Sequence, residues 1–300
     1  SGNMYNSLPQ TTNAIIRGLK LIGIQESDIR IFDATRAIPP GYSDTVLALY
    51  PSVQIYDYYS CSGHLPTTFS STDPSGVVDY TYPGIPNHRV ADVLLTSQHL
   101  ITVPIFKHHS TGITGAFKLH LGTMSPSTTD MHTNLYGDTQ NPLVDIYMNP
   151  NILNKTRIII GDAIYGGKKF DASPTTWQAF GNDHPESIFA SIDPVAIDSV
   201  ELNFIRQEPL GTSEMPPSYE GHLHDAASRG IGVHEHCPVS ASCSQIIYDY
   251  VDMNAPAICT DNDLDGYGVC PNCGISNGCT YNGNDCNDAN PAINPGATEI

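Results

Sequence analysis

The chain has 300 residues, with 31 acidic against 13 basic side chains, a formal net charge of −18 and 40% hydrophobic content. That length holds one large domain with an appendage, or two domains. The charge balance is the reverse of what a phosphate-backbone binder needs, which excludes non-specific nucleic-acid binding, and no apolar run approaches the ~20 residues that span a bilayer.

In chain order, Thr11 or Thr12 is placed to cap a helix through Ile15, Ile16, Leu19 and Ile22, which share one face, with Gly23 as its stop. Residues 29–34 (IRIFDA) read as a strand. Helix followed by strand is half of a βαβ unit, so a preceding strand is expected before Ser1, and the slot it leaves would expose a sheet edge. Residues 36–88 are loop-rich, with Pro39, Pro40, Gly41, Pro66, Pro74, Pro83 and Pro86; residues 46–50 and 53–59 read as short strand pieces within them. Tyr56, Tyr58 and Tyr59 read as packing, and Cys61 stands apart from the other cysteines, either free or tied to the tail.

Residues 99–122 (HLITVPIFKHHSTGITGAFKLHLG) organise the body. Leu100, Ile101, Val103, Ile105 and Phe106 make a β-branched apolar run that suits a strand covered on both faces. The run breaks into Lys107-His108-His109-Ser110-Thr111-Gly112-Ile113-Thr114-Gly115, and an apolar pattern carrying Lys118 and His120 follows. Glycines let backbone approach a ligand, and turn N–H groups beside a lysine hold anions. Strand-end loops are where α/β sheets bind ligands; the alternative is a polar loop whose histidines are merely satisfied.

Residues 123–150 form a long excursion with Asp130, His132, Asn134 and Asp138, of a length that suits a lid or site wall. A second buried strand, residues 157–161, ends at Asp162 ahead of Gly166-Gly167-Lys168-Lys169. Asp162 is therefore a candidate site residue or a turn cap. Residues 188–191 read as a strand, and Asp193-Pro194 opens a helix to about Gln207 with Asp193 as its cap. His222, His224, His234 and His236 follow, beside Glu235; on an extended segment an x-His-x-His spacing puts both rings on one face, a workable metal geometry.

Beyond Arg229 there is no Lys or Arg, and the segment holds seven of the eight cysteines: Cys237, Cys243, Cys259, Cys270, Cys273, Cys279 and Cys286. Clustered cysteines in a core-poor segment imply disulfides and an oxidising compartment, with pairing left open. Cys270, Cys273, Cys279 and Cys286 would otherwise be a zinc or iron–sulfur set, though not with the ferredoxin spacing. Asp261, Asp263 and Asp265, then Gly266 and Tyr267, read as the first half of a calcium loop in which Tyr267 supplies a carbonyl. An EF-hand would need Glu where Asn272 stands, so the remaining carboxylates are expected from Asp285, Asp288 and Glu299. A secreted location is expected, its export signal removed or left out before Ser1.

Three resemblances add to this. Pro104, Lys107, His109, Thr111, Gly112, Thr114, Gly115, Ala116 and Lys118, with His132 downstream, are similar to the hallmark of domain-of-unknown-function family 362. Residues 158–166 with 190–198, and residues 227–232, match two further blocks, so the resemblance covers roughly residues 10–235. It implies an α/β body and an upstream strand with a lysine-bearing segment. It implies no settled reaction, and many members are associated with iron–sulfur segments fused to them. The tail, from Asp261 through Gly283-Asn284-Asp285-Cys286-Asn287-Asp288 to Glu299, resembles the MopE-type metal-binding motif of secreted bacterial proteins, with Asn284 and Asn287 as departures. That motif normally continues past Glu299. The central loop is also similar in part to the His-His-x-x-Gly-x-Ser-Gly-Gly-Arg-Lys string of nickel-dependent lactate racemases, with Ala116-Phe117 in place of Gly-Arg.

The expected fold is a three-layer α/β body with a mostly parallel sheet over residues 1–236, a linker over 237–258, and a disulfide-rich calcium-binding module over 259–300. Two functional readings follow. One is a secreted calcium-binding structural subunit that assembles with copies of itself, without nucleic acid or a membrane span. The other is a metal-dependent enzyme, redox or racemase-like, using Lys107, His108, His109, Lys118 and His132, with Asp162 as a further candidate and a transition metal at a histidine cluster.

Overall fold

The computed structural model describes residues 6–109, 112–125, 132–168, 174–208, 217–236, 244–247, 267 and 290. The chain divides into two compact units, Ser1–Ile247 and Tyr248–Ile300. Among the described residues no helix is long and apolar enough to cross a membrane. Cys61 is an exposed free thiol. The other seven cysteines, and Asp261, Asp263, Asp265, Asp285, Asp288 and Glu299, lie outside the described residues; Tyr267 is half-buried.

Helix α1 spans Pro9–Leu21 and begins at Leu8, which makes no side-chain cap bond, rather than at Thr11 or Thr12. Its first turn is held from far away. The Asp162 carboxylate accepts the Leu8 N–H at 2.6 Å and the Thr11 hydroxyl at 2.9 Å. Gly23, at φ 94°, ends the turn after the helix as expected. Strand β1 (Arg30–Asp33) follows, then helix α2 (Pro40–Leu47), strand β2 (Gln54–Asp57) and the short strand β3 (Leu65–Pro66). β1 pairs β2 and β2 pairs β3, both parallel. Val46, expected in a strand, is instead buried in α2, whose start at Pro39-Pro40 uses the fixed φ of proline. Ile16, Ile29, Val46 and Val53 form the core beneath this βαβ unit.

The second sheet is built on the 12-residue strand β9 (Thr156–Gly167). Two short strands, β4 (Val77–Val78) and β5 (His88–Arg89), form an antiparallel ribbon ahead of it. The expected single strand over 100–106 is two: β6 (Leu100–Thr102) and β7 (Ile105–His109), each parallel to β9. The break falls at Val103-Pro104, where proline has no N–H to offer a ladder; its carbonyl accepts the Asp162 N–H at 2.8 Å. β8 (Gly112–Ile113) turns back antiparallel on β7, and β10 (Ser187–Ser191) runs antiparallel along β9. The body is thus mixed α/β: the first sheet is all parallel, and the five-stranded sheet combines two parallel pairs with two antiparallel ones.

Helix α3 (Asp92–Leu95), α4 (Pro142–Tyr147), α5 (Pro150–Leu153), α6 (Pro194–Gln207) and α7 (Gly221–Ser228) complete the body. Asp193 caps α6 as expected, accepting from Val195 and Ala196 N–H, and its other oxygen accepts the Val233 N–H at 2.9 Å. A Cβ on Gly232 would lie 2.0 Å from the same carboxylate, so glycine is required for that contact. The main core joins Phe106, Phe117, Leu143, Tyr147, Trp177 and Leu202.

Candidate functional site

The end of β7 carries Lys107, His108 and His109, and β8 brings the chain straight back, pairing His108 with Ile113 and His109 with Gly112. Gly112 has φ 99°, and a Cβ there would meet the Tyr219 carbonyl at 2.7 Å, so only glycine closes this turn. Lys107 is buried, its stem against Gly167, where a Cβ would come within 2.7 Å of the Lys107 Cγ.

The following loop is held by α6. The Asp198 carboxylate accepts the Ala116 N–H at 2.7 Å and the Phe117 N–H at 3.4 Å, and Thr114 N–H bonds back to the Lys107 carbonyl at 2.8 Å. This presents Lys118 at the start of the 3₁₀ turn Lys118–Thr123. The far end of that turn meets β1, because the Gly122 carbonyl accepts the Ala34 N–H at 2.7 Å. Asp33, at the end of β1, then accepts the N–H groups of Thr35 and Arg36 and so orients Arg36.

The result is a cluster of positive groups at the carboxyl ends of β1 and β7. Burial, then Arg36, lowers Lys107 below the usual lysine range. Burial, then Arg36 and Lys107, brings Lys118 down to about 8. Burial, then Lys118, Lys107, His108 and His132, brings His109 down to about 3 and keeps it neutral at physiological pH. Desolvation and like charge act in the same direction on all three groups, and the charge of a bound anion would oppose both. The structure therefore brings together Lys107, His108, His109 and Lys118, with exposed His132 within electrostatic reach of His109. It adds Arg36, which sequence reading assigned only to a loop; its position three residues after a strand-ending Asp was the available signal. Ser110 and Thr111 lie outside the described residues.

Asp162 has a different part. Besides α1, it accepts the Ile164 N–H at 3.2 Å, and this buried carboxylate fastens the first helix to β9.

The second histidine group divides. His222 and His224 lie on α7, not on an extended segment, and so point to different sides. His222 is buried, edge-on to Phe117 with Nε2 3.9 Å from Asp198. His224 joins His234 and His236 around Glu220, a residue the sequence reading passed over. Glu235, the acid beside these histidines, is held at about 2 by the Ser244 hydroxyl and the N–H groups of residues 244–246, whose turn it caps.

Residues 8–203 match the family model described as Domain of unknown function (DUF362). The match takes in the β7 loop and the Asp193-to-Asp198 block and stops before Ala227–Gly232. No curated protein matches the chain.

Proposed function

The chain belongs to the DUF362 family, whose description assigns no activity, and from the site itself we propose that the body binds a small anionic substrate and performs acid–base chemistry on it. One observation carries this reading: Arg36, Lys107 and Lys118 converge beside a neutral His109 at two strand ends, in a chain of net charge −18. Positive groups gathered in partial burial at two strand ends suit an anionic ligand. A phosphate or carboxylate fits that need, since both accept bidentate and charge-assisted hydrogen bonds. A bound anion would offset the neighbouring positive charge and raise His109 from about 3, so that it could accept a proton from the substrate, and Lys118, at about 8, is able to return one. Proton abstraction beside a substrate carboxylate, as in a racemase-like reaction, suits these roles. The test is calorimetric titration with inorganic phosphate and a small 2-hydroxy acid, on the native protein and on Lys107→Met and Lys118→Met.

A second reading concerns the tail and is favoured by its sequence. Asp261, Asp263 and Asp265 alternate before Gly266, with Asp285, Asp288 and Glu299 further on and seven cysteines between Cys237 and Cys286. This is a hard-oxygen donor set of the MopE-type pattern, suited to calcium at extracellular concentration. In this reading the protein is secreted, its tail is stapled by disulfides and filled with calcium, and the rigid module joins copies of the chain into an assembly. Calcium content and sedimentation with and without a chelator test it; a calcium-free, monomeric native protein would remove it.

A further inference from the structure

Three potential ligand atoms, Glu220 Oε2, His224 Nε2 and His234 Nε2, converge beside α7. His224 Nδ1 lies 2.8 Å from the Asp138 carboxylate, which only accepts, so that nitrogen carries the ring proton and Nε2 presents a lone pair. The Ser199 hydroxyl donates to the Val195 carbonyl at 2.7 Å. Its oxygen is then the acceptor for His234 Nδ1 at 2.8 Å, and His234 Nε2 also presents a lone pair. Both Nε2 atoms lie 3.7 Å from the same carboxylate oxygen, Glu220 Oε2. Among the described residues His234 Nε2 is buried without a hydrogen-bond partner. Lone pairs do not attract one another, so something positive belongs between them.

We propose that Glu220 Oε2, His224 Nε2 and His234 Nε2 are the ligands of a first-row divalent metal ion. The three ligand atoms all lie within 4.8 Å of one another. Ligands about 2.1 Å from a tetrahedral ion stand roughly 3.4 Å apart, which is close to the 3.7 Å found for both histidines. Asp138 and Ser199 then act as orienting partners, each fixing a tautomer through the far ring nitrogen. Two histidines and one carboxylate leave coordination positions open, the donor set of zinc hydrolase and non-haem iron sites.

His236 has another role. Arg206, which only donates, lies 3.0 Å from its Nδ1, so its Nε2 carries the proton and donates to Glu220 Oε2 at 2.7 Å. Arg206 also pairs with Glu220 Oε1. These two groups satisfy Glu220, and the exposed His236 ring is the group an entering ion displaces. This site stands independently of the anion site, although Tyr219, next to Glu220, faces the His108 ring at 6.3 Å.

The experiment is a Co²⁺ titration of the full chain, read by its visible spectrum and by competition with Zn²⁺, in excess calcium. The expected result is one tightly bound Co²⁺ with ligand-field bands and no thiolate charge-transfer band, which separates it from the tail cysteines. His224→Ala, at an exposed position, abolishes it; Asp138→Asn weakens it about 10- to 100-fold; His236→Ala keeps or tightens it. No such species in the native protein, or one unchanged in His224→Ala and in Glu220→Gln, would overturn the assignment. Because the readout is metal binding, it is unaffected by whether phosphate binds at Lys118.

Discussion

Asp198 on α6 grips the backbone of Ala116 from 82 residues away, with its Oδ1 2.7 Å from the amide nitrogen. A Cβ on Gly115 would lie 2.1 Å from that same oxygen. The glycine and the aspartate are therefore one device, and together they set the direction in which Lys118 leaves the loop. Asp198→Ala leaves two N–H groups short of their acceptor, at a cost of about 1–3 kcal/mol. Gly115→Ala forces the carboxylate away and should cost a similar amount. Chemical denaturation measures both, and the double variant should be less than additive because both changes break the same contact.

Lys118 makes anion binding pH-dependent. Its ammonium is lost as pH rises through about 8, so phosphate affinity should fall above that pH. Lys118→Met should bind weakly at every pH and show a flatter profile between pH 7 and 9. A profile identical in the two proteins would assign the pH effect elsewhere.

His120 gives the fold an acid limit. It is fully buried, and burial alone lowers it to about 3. The folded state resists its protonation, whereas the unfolded chain takes the proton near pH 6.5. Stability is thus intact above pH 6.5 and falls as pH drops from there towards 3, by on the order of 5 kcal/mol at full effect. His120→Leu should reduce the slope of melting temperature against pH across that window while changing little at pH 8.

Glu201 acts with the opposite sign. It is fully buried in α6, and burial, reinforced by Asp198, raises its carboxyl well above the usual range. A raised carboxyl favours folding below its unfolded value and loses that advantage as pH rises through the folded value. Glu201→Gln keeps the shape without the ionisable proton, so it should raise the melting temperature at neutral and alkaline pH and leave pH 4 nearly unchanged. Its Oε1 would lie 2.0 Å from a Cβ on Gly161, so Gly161→Ala should destabilise the strand beneath it.

Sequence-local features were the legible ones. β1, β10 and the Asp193-Pro194 start of α6 follow from short apolar runs and a cap that reaches only two or three residues. The start of α1 was not legible, because its anchor is Asp162, 154 residues from Leu8. Val46 read as strand because a β-branched residue in a short apolar run fits either structure, and packing against Ile16 decided for helix. The Lys107–Lys118 loop announced itself by composition, but Arg36 joins it only through the Ala34–Gly122 bond between distant segments. Likewise three of the four histidines from 222 to 236 do converge, yet Glu220 completes them and His222 turns inward once residues 221–228 coil into α7.

The most direct test of the anion site is calorimetry of inorganic phosphate at pH 8 in two buffers of different ionisation enthalpy. Near pH 8 Lys118 is about half protonated. An anion bound beside it should restore the missing proton, so binding should take up as much as ~0.5 proton per chain, and that uptake should vanish in Lys118→Met. Phosphate that fails to bind, or binds with the same proton uptake in Lys118→Met, would contradict a site built on these cations.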